Sequence, residues 1–195
     1  MEKQSEIPAL LIIDMVKDYF DEKEKLPITP FAKGIVKPIN RLISMFRREG
    51  WPIVFSTDAF HEDDFIFKGG GKPHSLAGTR GAEVVDELDR SPEDLWLPKP
   101  RFSAFFGTGL EEWLRERDVT MCAVAGIATT FCVLTTVMDA LCHDFKAVIL
   151  EDCSAAASEN AHAQTLNLYR RNPLYPLFKV ATSSEMLDDL SGKQS

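Results

Sequence analysis

No stretch of the chain stays apolar over the roughly 18 residues that a membrane-spanning helix needs. The N-terminus MEKQSEIPAL has no basic region leading into a long apolar segment of the secretory kind. A cytoplasmic protein with no membrane partner is therefore expected. Basic clusters are missing too: Arg47–Arg48 and Arg170–Arg171 are isolated pairs in a chain of net charge −8 and pI near 5.0. Such a surface repels phosphate backbones, which sets nucleic acid aside as a partner. Cysteine is sparse, with four residues at positions 122, 132, 142 and 153 and no C-x-x-C pair. A reduced chain of this size needs no disulfides, and Cys122, Cys142 and Cys153, in apolar or helix-like stretches, read as buried thiols. Several catalytic signatures are absent as well. There is no G-x-S-x-G elbow, no G-x-G-x-x-G after the first apolar run and no H-E-x-x-H. Gly69–Gly71 with Lys72 lacks the first glycine of a phosphate loop and has Pro73 where the magnesium-binding hydroxyl belongs. No internal repeat, heptad run or low-complexity segment occurs.

What the chain has is 195 residues, 45% hydrophobic and 27% charged, enough for one domain with a full core. We expect that domain to span residues 1–195, with its core at about 8–183. Apolar β-type runs fall at Ala9–Asp14, Trp51–Asp58, the D-L-W-L-P-K segment ending at Lys99, Val119–Ala125, Ala147–Leu150 and Phe178–Ala181. The first is apolar almost without interruption, which suits a strand covered on both faces. Helical spacing lies between them: Ile35, Ile39, Leu42, Ile43 and Phe46 closed by Gly50, then Gly107–Arg117, Thr130–His143 and Ser158–Arg171. Strand alternating with helix at this pitch predicts an α/β fold, three-layered and doubly wound, with a six-stranded mainly parallel sheet and helices on both faces. The polar, glycine-rich stretch His61–Gly81 reads as an excursion forming the rim of a pocket.

Ligands of open parallel sheets bind outside the carboxyl ends of the strands. That rule selects Asp14, Asp58, Lys99, the Gly126–Cys132 junction and Asp152. In the segment G-I-A-T-T-F-C-V the chain leaves a strand, turns at Gly126 and enters a helix capped by Thr129 or Thr130. Cys132 is then expected in the first turn, where unpaired N–H groups and the helix dipole lower a thiol pKa and can hold an oxyanion. An ordinary core cysteine fits the same position.

Four segments, in order, resemble the isochorismatase-like cysteine hydrolases, the group containing nicotinamidases and N-carbamoylsarcosine amidohydrolase. They are L-L-I-I-D-M-V-K-D-Y-F, P-H-S-L-A-G-T-R-G-A-E-V-V, L-P-K-P-R-F-S-A-F and G-I-A-T-T-F-C-V. The resemblance implies a catalytic set of Asp14, Lys99 and Cys132. It also implies a cis peptide at Ile127–Ala128 and an oxyanion site at the N–H groups of Ala128 and Cys132. A small planar amide or carbamoyl substrate would be cleaved through a thioester, with no cofactor strictly required. The nicotinamidase branch binds a divalent metal such as zinc through D-x-H and a later histidine. Asp58 and His74 match the outer members, whereas Phe60 stands at the middle one and His61 is displaced by one residue. Val16 and Lys17 likewise occupy positions where D-M-Q-x-D-F is common. Tyr19, Phe20, Phe60, Phe65 and Phe102 are candidates for an aromatic rim stacking on a flat ligand. Two other functions compete: vinyl-ether cleavage of isochorismate, which generally dispenses with the cysteine, and a catalytically silent binding module of the same fold. Apolar faces around Val133–Leu141 suggest a homo-oligomer, dimer or tetramer.

Overall fold

The computed structural model describes residues 6–24 and 26–192. One sheet of six strands organises them: β1 (Pro8–Ile13), β2 (Ile53–Asp58), β3 (Leu95–Lys99), β4 (Met121–Ile127), β5 (Lys146–Ala155) and β6 (Phe178–Ala181). Their spatial order is β3-β2-β1-β4-β5-β6, and every neighbouring pair is parallel. The helices are α1 (Lys17–Phe20), α2 (Thr29–Glu49), α3 (Leu110–Arg115), α4 (Leu134–Cys142), α5 (Glu159–Tyr169) and α6 (Ser183–Leu190). The expected doubly wound α/β architecture is the one observed.

The unbroken apolarity of β1 has a direct cause. Leu10 and Ile12 face a core built with Ile39, Ile43 and Phe46 of α2 and Met186 of α6. Ala9, Leu11 and Ile13 face a second core with Leu110 and Leu114 of α3, Val137 of α4 and Leu166 of α5. Alternate residues of one strand thus serve two layers, so neither set can be polar. Gly50 closes α2 as expected, its N–H bonded to Arg47 and Phe46 carbonyls. Ser158 caps α5 by accepting from Ala161 N–H.

Four differences from expectation have physical reasons. β5 runs to Ala155 because its pairing with β4 slips: Val124 faces Ile149, but Gly126 faces Ser154. Asp152 lies in this irregular stretch, where its carboxylate accepts from the N–H (2.8 Å) and hydroxyl (2.6 Å) of Ser183. It anchors the start of α6 and does not join the strand-end cluster. α6 lies beyond the helices expected from the sequence, although Thr182 and Glu185 form a reciprocal capping box of the kind a sequence can reveal. In the Val133–Leu141 stretch, Val133 just before α4 and Val137 and Ala140 within it are buried in the core, with Leu134, Met138 and Leu141 partly buried beside them. Finally, all four cysteines are free thiols, but Cys142 is exposed where burial was expected. No helix among the described residues is long and apolar enough to cross a membrane.

Candidate active site

Strand order reverses between β1 and β4, and the crevice opened by that reversal is where an open parallel sheet can receive a ligand. Asp14 follows β1 directly with φ of 53°. Its Oδ1 accepts the Asp58 N–H at 2.8 Å, and its Oδ2 lies 3.0 Å from Lys99 Nζ. Lys99 sits at the end of β3, in register with Asp58 on β2. Its side chain reaches past Asp58, to whose carboxylate it is also hydrogen-bonded, toward Asp14. Cys132 comes from the opposite side, after β4. The potential donor atoms of Asp14, Asp58 and Cys132 all lie within 4.8 Å of one another. Lys99 is wholly buried, and Asp14, Asp58 and Cys132 are nearly so.

Gly126 lies within β4, which runs on to Ile127 and so does not turn there as expected, and it packs against β1 so closely that a Cβ would stand 2.1 Å from the Ile13 carbonyl oxygen. The Ile127–Ala128 peptide is cis, as the family resemblance implies. Cys132 then sits in a single wide π-type turn, Thr129–Val133, in which Val133 N–H donates to the Ala128 carbonyl at 3.2 Å.

Electrostatics follow from burial. Desolvation, together with Asp58, raises the Asp14 pKa to about 7, against the pull of the Lys99 ammonium. Burial works against the charge of Lys99, but Asp14 and Asp58 outweigh it and the ammonium pKa is raised. Burial and the Asp14 carboxylate push the Cys132 thiol well above its usual range, with Lys99 opposing them. The expected lowering by a helix dipole does not prevail. The wide turn replaces a regular first helical turn, and the thiol meets a carboxylate.

The expected metal set is not assembled. His74 bonds through Nδ1 to the Lys72 carbonyl at 3.0 Å and packs edge-on against Tyr19, Phe60 and Phe67 at 5.4–5.8 Å between ring centroids. Among the described residues, Asp58 groups with Asp14 and Cys132 as potential ligands, without His74. In that group the Lys99 ammonium already bridges the two carboxylates, so a divalent cation would have to share their charge with a buried cation. These residues do not fit zinc well. His61 is exposed.

The aromatic candidates separate. Phe60 is buried against Phe67 and His74, and Phe20 packs against the α2-side core. Phe65 is exposed. Phe102 is exposed, 5.7 Å from Phe131, the residue before Cys132. Tyr19 donates weakly to Asp58 Oδ2 at 3.4 Å, and burial with Asp58 keeps its hydroxyl protonated. One contact escaped sequence reasoning: His162 of α5 bonds to the Thr129 hydroxyl beside the Cys132 turn.

A buried thiol, carboxylate and ammonium thus meet at the switch point of a doubly wound α/β sheet. The Isochorismatase domain matches residues 8–185. A probable inactive nicotinamidase from Arabidopsis thaliana is 31% identical over 81% of this chain and 85% of its own length. The crystal structure of N-carbamoylsarcosine amidase from Thermoplasma acidophilum superposes with a TM-score of 0.77 at 32% identity, covering 90% of this chain and 96% of that one. The pyrazinamidase of Pyrococcus horikoshii, solved in complex with zinc, gives a TM-score of 0.78 at 26% identity over 90% and 99% of the two chains. The chain belongs to the isochorismatase family.

Proposed function

We propose that the protein hydrolyses the C–N bond of a small planar amide or carbamoyl compound, nicotinamidase-like in chemistry, with Cys132 as nucleophile. The observation that carries this reading is the convergence of Asp14, Lys99 and Cys132 from three strand ends into one buried cluster. Asp14, poised near neutrality, takes the thiol proton as Sγ attacks the carbonyl carbon. The N–H groups of Ala128 and Cys132 receive the oxyanion. Collapse breaks the C–N bond, and Asp14 returns its proton to the departing amine. Water then attacks the thioester while Asp14 accepts a proton, and the thiol is regenerated as the acid leaves. Lys99 balances the negative charge on Asp14 and on the incipient thiolate throughout. No step is routed through a metal, since Phe60 and the Lys99 bridge occupy the ground a metal set would need.

Cys132→Ala should abolish turnover, with little change in thermal transition, and leave exposed Cys142 as the thiol that iodoacetamide still labels. Retained turnover in that variant would overturn the mechanism. A screen of nicotinamide, carbamoylated amino acids, ureido acids and isochorismate identifies the substrate. Isochorismate cleavage that survives Cys132→Ala would favour the vinyl-ether reading. The silent-module reading draws on the relative named as inactive, and it predicts no turnover across the whole screen.

The proposal includes a homo-oligomer, dimer or tetramer. With the α4 face turned inward, exposed Leu168, Leu174, Tyr175 and Leu177 are apolar groups that a second copy could cover. Sedimentation velocity reads the state, and a monomer at all concentrations would refute this part.

A further inference from the structure

His162 stands outside the Asp14–Lys99–Cys132 group, yet one residue ties it to that group. It projects half-buried from α5, and its Nδ1 lies 2.8 Å from the hydroxyl of Thr129. Thr129 is fully buried. It follows Ala128 and opens the turn on which Cys132 sits.

In the neutral ring protonated at Nε2, Nδ1 is an acceptor for the Thr129 hydroxyl. We propose that His162 is a positioning residue of the active site, clamping the Thr129–Val133 turn to α5 so that Cys132 Sγ stays in reach of Asp14. This assignment rests on Cys132 being the nucleophile.

The clamp is suited to its place. A wide turn has looser internal bonding than an α-helical one, so an anchor from another element fixes what the turn itself does not. Burial lowers the His162 pKa, with the Glu151 carbonyl and carboxylate opposing and Arg170 assisting, which favours the acceptor form of Nδ1. A protonated ring would present a donor to Thr129, leaving the buried hydroxyl proton without that acceptor.

Three variants test the proposal: His162→Leu, which keeps bulk without an acceptor; Thr129→Val, which removes the hydroxyl; and His162→Asn, whose Oδ1 stands close to where Nδ1 stood. The readouts are the second-order rate of iodoacetamide alkylation at Cys132, kcat and KM on the amide found by the screen, and hydrogen–deuterium exchange of residues 128–133. His162→Leu and Thr129→Val should each slow alkylation and kcat by about tenfold or more, with KM within about threefold of wild type. The double variant should be no slower than either single one, because both remove the same contact. His162→Asn should restore rates to within about threefold of wild type. Additive losses, a change confined to KM, or His162→Asn as slow as His162→Leu would overturn the assignment. Should wild-type Cys132 resist alkylation and turnover be absent, the nucleophile reading falls by itself, and exchange then decides the clamp. Faster exchange of residues 128–133 in the Leu and Val variants, with normal exchange in the Asn variant, supports it; unchanged exchange refutes it.

Discussion

Asp14 and Asp58 share one lysine, and that sharing sets the pH at which the cluster works. With its pKa raised to about 7, Asp14 is protonated in mild acid and cannot take the Cys132 proton. kcat/KM should therefore rise with pH through a limb near 7. Asp58→Asn removes a like charge and leaves Lys99 to Asp14 alone, so the limb should move to lower pH by about one unit. A pH–rate profile that does not move would separate Asp58 from the titration. The same shift bears on folding. The native chain holds the Asp14 proton more tightly than the unfolded chain, so this contribution to stability is complete below the unfolded value of 3.8 and is lost as pH rises through about 7. The strand-end rule brings Asp14, Lys99 and Cys132 into view from the sequence, because each ends or follows an apolar run. It does not show that the Lys99 side chain reaches past β2 to bridge two carboxylates. Nor does it show that His162, 33 positions from Thr129, meets it. Both depend on side-chain reach between elements, which local patterning does not encode.

Among the elements, the β4-to-Cys132 junction is the least tolerant of change. Gly126 has φ of 105°, and an added Cβ would strike backbone of β1, which cannot yield as a flexible side chain could. Gly126→Ala should cost about 3 kcal/mol or more, read as a lowered urea midpoint with loss of turnover; a variant as stable as wild type would contradict this contact. The stretch His61–Gly81 has a comparable close approach. Asp18 Oδ2 accepts the Ser75 N–H at 2.6 Å, and Gly81 leaves the room that the Asp18 carboxylate occupies. This ties the excursion after β2 to the start of α1. Strands were readable because two-sided burial forces apolar runs. The register slip in β5 was not, because Glu151 and Asp152 interrupt the apolar pattern and resemble a strand end. α1, a single short turn, carries too little periodicity to be recognised.

At the scale of the whole molecule, the order of the strands makes the site. β1 and β4 are adjacent in space but far apart in sequence, and residues 14 and 132 converge only because the chain winds outward from that pair in both directions. The alternation of strands and helices is enough to imply such a crevice, and this is why the architecture was legible when several side-chain roles were not. The Isochorismatase domain match over residues 8–185 agrees with this extent.

The buried lysine bridge also makes the site selective for charge. Two carboxylates facing one ammonium leave the pocket net negative while Asp14 is ionised, inside a chain whose own charge is −8. A neutral electrophile can approach Cys132, whereas an anionic one meets repulsion strengthened by burial. Iodoacetate should therefore alkylate Cys132 on the order of tenfold more slowly than iodoacetamide above pH 7, with the gap narrowing as added salt screens the outer field. Equal rates would mean that Lys99 offsets both carboxylates at the sulfur. By the same reasoning, a substrate that carries a carboxylate must hold it at the far end from the bond to be cut.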